Sequence, residues 1–600
     1  MTRAGELAAI VNASSELLGQ GDAEGAERLL NPVLQQLRSD AAALHLMGLI
    51  KKARLQLKEA ERFFRSAIAN GLSEGAYYND LGVVLQMLGQ YEEAARVLRA
   101  ALALVPQAGA IRTNLVRCYL AAGDLAEAER EAKAYVAVDP GAESWTLLGQ
   151  VQRSLDRPEE MLASAEAALR FGPRLRGLRY NHAAALELNS RAKEALAVFE
   201  QLAKQELDTP ELAMHYIRAL YGEGRKKDAE AVAEQAVQAW PGSVALNTVL
   251  ARIRWLRGEN ENCTAITEAE LQWRRPSDIA LRLVCADVLH RGGHALKAVE
   301  ALEQALRYAP DSPALLTSLG MTLDELDRTQ DALKVLRRVA EIAPSPVAQR
   351  NLLSTLLRAR QAEEALAIVR ALRQQDANEQ YLIACEATAL RMLGDPGYRE
   401  LCDFDRMVRS YEIAAPKGHF TIESFNAALA DFLRVRHRVD AHPLDQTSPN
   451  SSRTARSLLA LNDALLRTFH ASIDACARDY ITSADVDSPV GQRRAKQYRY
   501  TNMWSVRLAR EGAEPNHVHD RGWISGVYLA ASMPPERPND AHAGWLKLGE
   551  PNRPPAGLGP ERFVEPKVGQ LLLFPSYIWQ GVAPLEGAER LTAAFTLAPA

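Results

Sequence analysis

Cysteine is scarce and scattered. Six are spread through 600 residues (Cys118, Cys263, Cys285, Cys385, Cys402 and Cys476), and no two stand as Cys-x-x-Cys. That spacing argues against a zinc ribbon or a disulfide framework and fits a reducing compartment. Net charge is nearly absent as well. A formal charge of -4 and a pI near 6.4 give no basis for nucleic acid as the main partner. No uncharged apolar run approaches the roughly 18 residues needed to span a bilayer. The opening Met-Thr-Arg-Ala-Gly-Glu-Leu carries no apolar signal core. The expectation is a cytoplasmic chain with no membrane and no nucleic-acid partner.

What is present is ordinary in kind: 47% hydrophobic and 24% charged residues describe a folded chain. Its length exceeds one compact core and calls for several domains or a repeat array. A repeat is legible. From about residue 8 to about residue 400 the sequence resembles itself with a period near 34. The clearest copy holds Leu81, Gly82, Ala94, Leu98, Ala101 and Pro106. Ala128, Ala132 and Pro140 repeat part of it, as do Gly149, Ala165, Ala168 and Pro173, and later Gly320, Ala332 and Pro344. Small residues let two paired helices approach closely, and the proline ends the second helix of each pair. Turns such as Leu88-Gly89-Gln90 and Ala122-Gly123-Asp124 join the pairs. The pattern resembles the tetratricopeptide repeat, in roughly ten to twelve copies, most degenerate around Cys263 to Arg275. Such repeats stack into a superhelix with a long concave face. His45, His182, His215, His290 and His294 stand isolated within it and read as packing or surface residues.

Periodicity fades after Met407. A helix over Ile422 to Val435, a polar loop from His442 to Ser452 and an amphipathic helix over Ser457 to Tyr480 form a connector. Aromatic and β-branched residues then become dense. Strands are expected at Gln497–Leu508, Trp523–Ala530, Ala543–Leu548, Gln570–Phe574 and Arg590–Leu597. Short strands with long loops predict a double-sheet jelly roll. The expected architecture is therefore an all-α tetratricopeptide superhelix over residues 1–405, a helical connector over 406–485 and a β jelly roll over 486–600. The two folded parts are expected to keep separate cores.

One stretch of the β region carries chemistry. His517 and His519 stand one residue apart, and on a strand they would project from the same face and could clasp a transition metal. Two solvated loop histidines would look the same in sequence.

A wider set of motifs narrows the choice. Trp504, then Asn516-His517-Val518-His519, Ile524-Ser525-Gly526-Val527-Tyr528 and Gly549-Glu550-Pro551-Asn552-Arg553 follow in order. They continue into Gly569-Gln570-Leu571-Leu572-Leu573-Phe574-Pro575-Ser576 and Glu589-Arg590-Leu591-Thr592. Together, over roughly residues 440 to 600, they resemble the 2-oxoglutarate/Fe(II) oxygenase family of double-stranded β-helix proteins. The resemblance implies Fe(II) held by two histidines and a carboxylate, with 2-oxoglutarate as cosubstrate. His517 would be the first ligand, and His519 stands where the wider group has Asp or Glu. Asp520 is the neighbouring carboxylate but would point away on a strand. Gln580 occupies the place of the distal histidine, and His542 is the one substitute in view. Arg590 and Thr592 fall where the cosubstrate's far carboxylate is bound. A guanidinium grips such a carboxylate with two prongs. Trp504 and Tyr528 read as core aromatics. No catalytic acid or base is identified.

Three functions follow. The first is a dioxygenase that hydroxylates a protein or peptide presented in the tetratricopeptide groove. The second is a non-catalytic interaction scaffold with a degenerate oxygenase domain, which Gln580 favours. The third is a cupin-like metal enzyme of another class.

Overall fold

The computed structural model describes residues 3–155, 157–189, 191–257, 262–273, 275–439, 450–454, 457–461, 463–533, 540–565 and 567–600. The chain divides into two compact units, Met1–Leu207 and Asp208–Ala600. The first is made of helix pairs such as Gly75–Met87 with Tyr91–Leu104, Gly109–Ala122 with Leu125–Val138, and Ala142–Ser154 with Pro158–Phe171. The repeated small residues have a steric reason. A Cβ on Gly82 would meet the Leu98 side chain of the paired helix at 2.6 Å, and one on Gly48 would meet Phe64 at 2.6 Å. Ala94, Leu98, Ala101, Ala128 and Ala132 are fully buried between the pairs. Gly123 ends its helix in the left-handed region at φ 79°, and the Asp124 side chain then caps the next helix by accepting from the Glu127 N–H.

The second unit continues the pairs from Pro210–Gly222 to Gln380–Leu393. The pairing is weakest where the pattern degenerates, since Ala265–Trp273 spans only 9 residues. Among the described residues no helix is long and apolar enough to cross a membrane. The six cysteines are free, and all but the half-exposed Cys476 are buried.

The β region forms two antiparallel sheets. The larger has the order β1-β8-β5-β10-β3-β2, with β1 at Arg409–Glu412, β2 at Ser451–Arg453, β3 at Tyr498–Ala509, β5 at Ile524–Met533, β8 at Gln570–Pro575 and β10 at Glu589–Pro599. The smaller has the order β4-β9-β6-β7, with β4 at Glu514–His517, β6 at Leu546–Leu548, β7 at Arg562–Val564 and β9 at Gln580–Val582. This is the expected jelly roll. The five expected strands are present with ends shifted by at most three residues. β1, β2, β4, β7 and β9 are additions. Each is three or four residues long, too short for an alternating pattern to register. Two of them, β1 and β2, fall in the connector, where helices and a polar loop but no strand were expected, and extend both edges of the larger sheet. The connector helix begins at Ala464 instead of Ser457, because Asp463 caps it and Leu458–Ala460 form a separate short turn of 3-10 helix. Residues 442–449 of the expected loop lie outside the described residues.

The expectation of separate cores is corrected. One hydrophobic cluster runs from Leu333, Leu353 and Leu390 in the repeats through Phe404 to Trp504, Phe574, Ile578 and Ala594 in the sheets. The seam is also polar. Arg391 donates to the carbonyls of Gly549 (2.8 Å) and Gly559 (2.9 Å) and pairs with Glu561 at 2.8 Å. Trp579 Nε1 donates to Thr388 Oγ1 at 3.1 Å, and the Tyr577 hydroxyl to the Leu401 carbonyl at 2.9 Å. The larger sheet's other face packs Leu591, Ala593, Phe595 and Leu597 against Phe425, Leu429 and Phe469 of the connector helices.

A buried histidine braces that second face. Ser505 Oγ donates to the Thr592 carbonyl (2.8 Å), so it accepts from His437 Nε2 (2.9 Å), and His437 Nδ1 accepts from Ser452 Oγ (3.0 Å). This arrangement needs the neutral ring. Burial, with Arg507 adding repulsion, pushes the imidazole down to about 4.

Two outcomes are expected. Arg391→Ala removes two hydrogen bonds to carbonyls and leaves Glu561 with the Tyr398 hydroxyl but no cation, and should lower the stability of the full chain by about 2–3 kcal/mol, less than a fully buried pair would cost. A urea melt within about 0.5 kcal/mol of wild type would reject the shared seam as a stabilising contact. For His437, the unfolded ring takes up its proton near pH 6.5 and the folded ring near 4. Its contribution is therefore complete above pH 6.5 and disappears as pH falls toward 4, by up to about 3 kcal/mol. His437→Gln keeps a donor and an acceptor, and should flatten stability against pH across that window. An unchanged profile would assign the acid sensitivity elsewhere.

Candidate functional site

The smaller sheet builds the site through one irregular strand pair. His517 lies opposite Gln580, and Glu514 opposite Val582. Three steps along β4 thus match two along β9, so β4 carries one extra residue, a bulge. The strands press together here, and a Cβ on Gly581 would collide with Asn516 Oδ1. Leu546 and Leu548 of β6 and Val582 of β9 face Trp504, Val506 and Ala594 of the larger sheet, so Gln580, two residues before Val582, faces the same interior.

The two histidines converge. His517 ends β4 and His519 lies just beyond it, so the strand expected to carry both stops short of the second. Their Nε2 atoms are 3.2 Å apart. His517 Nδ1 lies 2.9 Å from the Pro515 carbonyl, which can only accept. The proton therefore sits on Nδ1, and Nε2 presents its lone pair. His519 Nδ1 is 2.6 Å from Ser525 Oγ, itself 2.9 Å from Ser576 Oγ. Burial, reinforced by His517 and Arg453, holds the His519 ring well below its usual range, hence neutral. Carbonyl and hydroxyl partners that fix the far nitrogen of each ring are what orient imidazoles toward a metal.

Gln580 lies against the His519 ring and is 3% exposed, with its amide nitrogen 3.1 Å from His519 Nδ1 and 3.2 Å from Nε2. The assignment of its O and N follows the surrounding hydrogen bonds, so the same geometry serves the carbonyl oxygen. Asp520 turns away to Arg350 at 3.6 Å. His542 stacks on Phe563 with ring centroids 4.0 Å apart and is not a substitute ligand. Tyr528 is a core aromatic whose hydroxyl donates to Asn426 Oδ1. Trp504 is more than that. Its ring meets His519 edge-on at 5.0 Å, and the Arg453 guanidinium lies 4.2 Å above it.

Arg590 and Thr592 project from β10 toward the same interior. Their direct neighbours on β3 are Leu508 and Val506, which belong to the core between the sheets. Thr592 Oγ1 donates to the Val506 carbonyl at 3.3 Å. Arg590 is 4% exposed, and its Nε has no hydrogen-bond partner. Burial lowers its pKa to about 10, against a pull in the other direction from Glu514.

These observations test the implied groups. A buried guanidinium with an orphaned N–H is costly unless an anion meets it, so Arg590 fits the carboxylate of a ligand such as 2-oxoglutarate. Two ligands of one ion with bonds near 2.1 Å stand about 3.0 Å apart when adjacent and about 4.2 Å when opposite. The imidazole pair fits that window. The donor set is neutral, however, and among the described residues no three His, Cys, Asp or Glu side chains already close on one point. Glu514 and the Ser525–Ser576 pair escaped the sequence reading. Only the bulge brings Glu514 round, and nothing in the sequence marks it.

A cavity of about 570 Å³ opens beside His517 and Val518. Arg350, Asn351 and Tyr381 of the repeat helices form one wall, and Trp579 and Pro551 another. It adjoins a second cavity of about 580 Å³ along the repeats, sharing Met321 and Asn351.

Comparison with known proteins agrees with this construction. Residues 502–596 match the family described as "Putative 2OG-Fe(II) oxygenase". Tetratricopeptide-repeat models match residues 85–151 and 289–355, and 45–109 and 180–244. No curated protein matches. Among solved structures, YrrB, a TPR protein with an unusual peptide-binding site, is 25% identical, covering 28% of this chain and 86% of that one at a TM-score of 0.25. Naa15/Naa10 bound to HypK-THB is 14% identical over 65% of this chain and 73% of that one, at 0.26. MamA is 18% identical over 27% and 95%, also at 0.26. The chain thus joins tetratricopeptide repeats to a C-terminal domain of the 2OG-Fe(II) oxygenase family.

Proposed function

We propose that the protein is a 2-oxoglutarate- and Fe(II)-dependent dioxygenase that hydroxylates a protein or peptide segment lying along its repeats. The observation that carries this reading is the cavity beside His517. One surface of it is repeat helix, the other is the mouth of the β domain. A chain lying on Met321 and Asn351 therefore reaches His517 without leaving the groove.

The roles divide as follows. His517, His519 and Gln580 would hold the metal, with Pro515 and Ser525 fixing the two rings. Arg590 would take the cosubstrate's far carboxylate, with Thr592 beside it on the same face. When bound, iron and 2-oxoglutarate supply the oxidising chemistry, and the protein supplies position and dryness. Trp504 closes one side of His519 and keeps water from it. On the substrate side, Arg350 is held by Glu379 (2.8 Å) and Asp520 (3.6 Å) and lies over the Tyr381 ring (4.5 Å), giving the groove a fixed, charge-paired edge.

A second reading is a binding scaffold that has lost turnover, and the neutral amide at Gln580 favours it.

Succinate release from 2-oxoglutarate, with Fe(II) and air, separates the two. Wild type should release succinate. Arg590→Met should weaken 2-oxoglutarate binding at least about thirtyfold, the scale of removing one partner of a buried charge pair. It should also raise the melting temperature of the ligand-free protein, because an uncompensated buried charge is removed. Turnover that survives the substitution rejects the cosubstrate assignment. No turnover in wild type or in Gln580→His establishes the scaffold reading.

A further inference from the structure

We infer that Glu514 supplies the anionic metal ligand that position 580 lacks. This rests on reading the histidine pair as a metal centre. Without the extra residue in β4, Glu514 and His517, three apart, would face opposite sides of the strand. With it, they lie opposite Val582 and Gln580, which share one face, and so both turn inward. The side chains confirm the turn, with Glu514 Oε1 3.8 Å from His517 Nε2. That separation falls inside the 3.0 to 4.2 Å spanned by two ligands of one ion at bonds near 2.1 Å. The His517–His519 separation, 3.2 Å, falls inside it too.

The charges around Glu514 agree. It is the acid whose field reaches both the buried Arg590 guanidinium and the Arg453 guanidinium over Trp504. Glu514, His517 and His519 do not already close on one point, so the carboxylate must turn onto the ion; its side chain is 26% exposed and its one ion pair among the described residues is with His517, which leaves it free to do so. The resulting set of two imidazoles, one carboxylate and one amide oxygen is what a divalent iron site needs, with the anion drawn from β4 instead of the usual neighbour of the first histidine. The loss at 580 and the bulge at 514–517 then explain one another: a neutral amide is tolerated because a carboxylate has been brought in from the adjacent strand.

The test is anaerobic Co(II) titration of the full chain without 2-oxoglutarate, read by visible absorption. Wild type should bind. Glu514→Gln, which keeps shape and removes charge, should weaken binding at least about tenfold. Glu514→Asp keeps the charge and shortens the reach, and should weaken binding as well. In a Gln580→His background, Glu514→Gln should cost clearly less, since the third strong ligand is restored. Wild-type affinity in Glu514→Gln overturns the assignment while leaving the oxygenase reading standing. Wild-type affinity in Glu514→Asp reduces Glu514 to a distant charge and overturns it equally. Absence of Co(II) binding in wild type removes both. Metal-free melting temperatures identify any variant that fails to fold, and the Asp variant decides should Gln not fold.

Discussion

The pairing of β10 between β3 and β5 is the constraint on which the β domain depends. Eleven residues run from Glu589 to Pro599, hydrogen-bonded on both sides, and their alternation sorts the domain into two interiors. Leu591, Ala593, Phe595 and Leu597 bind the connector helices. Arg590, Thr592 and Ala594 face the smaller sheet. A slip of one residue would exchange the faces and bury the guanidinium among phenylalanines. The aliphatic layer therefore holds Arg590 in a place that its own solvation opposes.

How much of this was legible in sequence follows from the length of each element. The repeats announce themselves because the same contact, a small residue against a leucine or phenylalanine one helix away, recurs with a fixed period. The long strands β3, β5 and β10 could be read from composition. β4 and β9 could not, since three or four residues give no alternation, and His519 is not on a strand at all. The convergence of His517 with Gln580 depends on pairing across some sixty residues, which only the family resemblance anticipated. Asp520 was expected to point away, and it does, toward Arg350. Trp504 is buried as expected, yet its edge contact with His519 makes it a wall of the site as well as a core residue.

The repeats and the sheets are one folding problem from about Leu333 onward. Apolar continuity from Leu333 to Ala594 and the Arg391 contacts leave no apolar boundary for a hinge to open. The two parts cannot be treated as reader and catalyst on a tether. The wall of the cavity that belongs to the helices is as fixed relative to His517 as the wall that belongs to the sheets.

Repeat proteins usually lengthen, shorten and recombine by whole units, since each unit contacts only its neighbours. That freedom ends where the core becomes common. Helices from Thr329–Ile342 onward have surfaces shaped to a particular β domain, so inserting or exchanging a unit there would break the packing of the sheets. Any diversification of what the groove accepts is pushed toward earlier repeats, while the last ones are inherited together with the sheets as a single block.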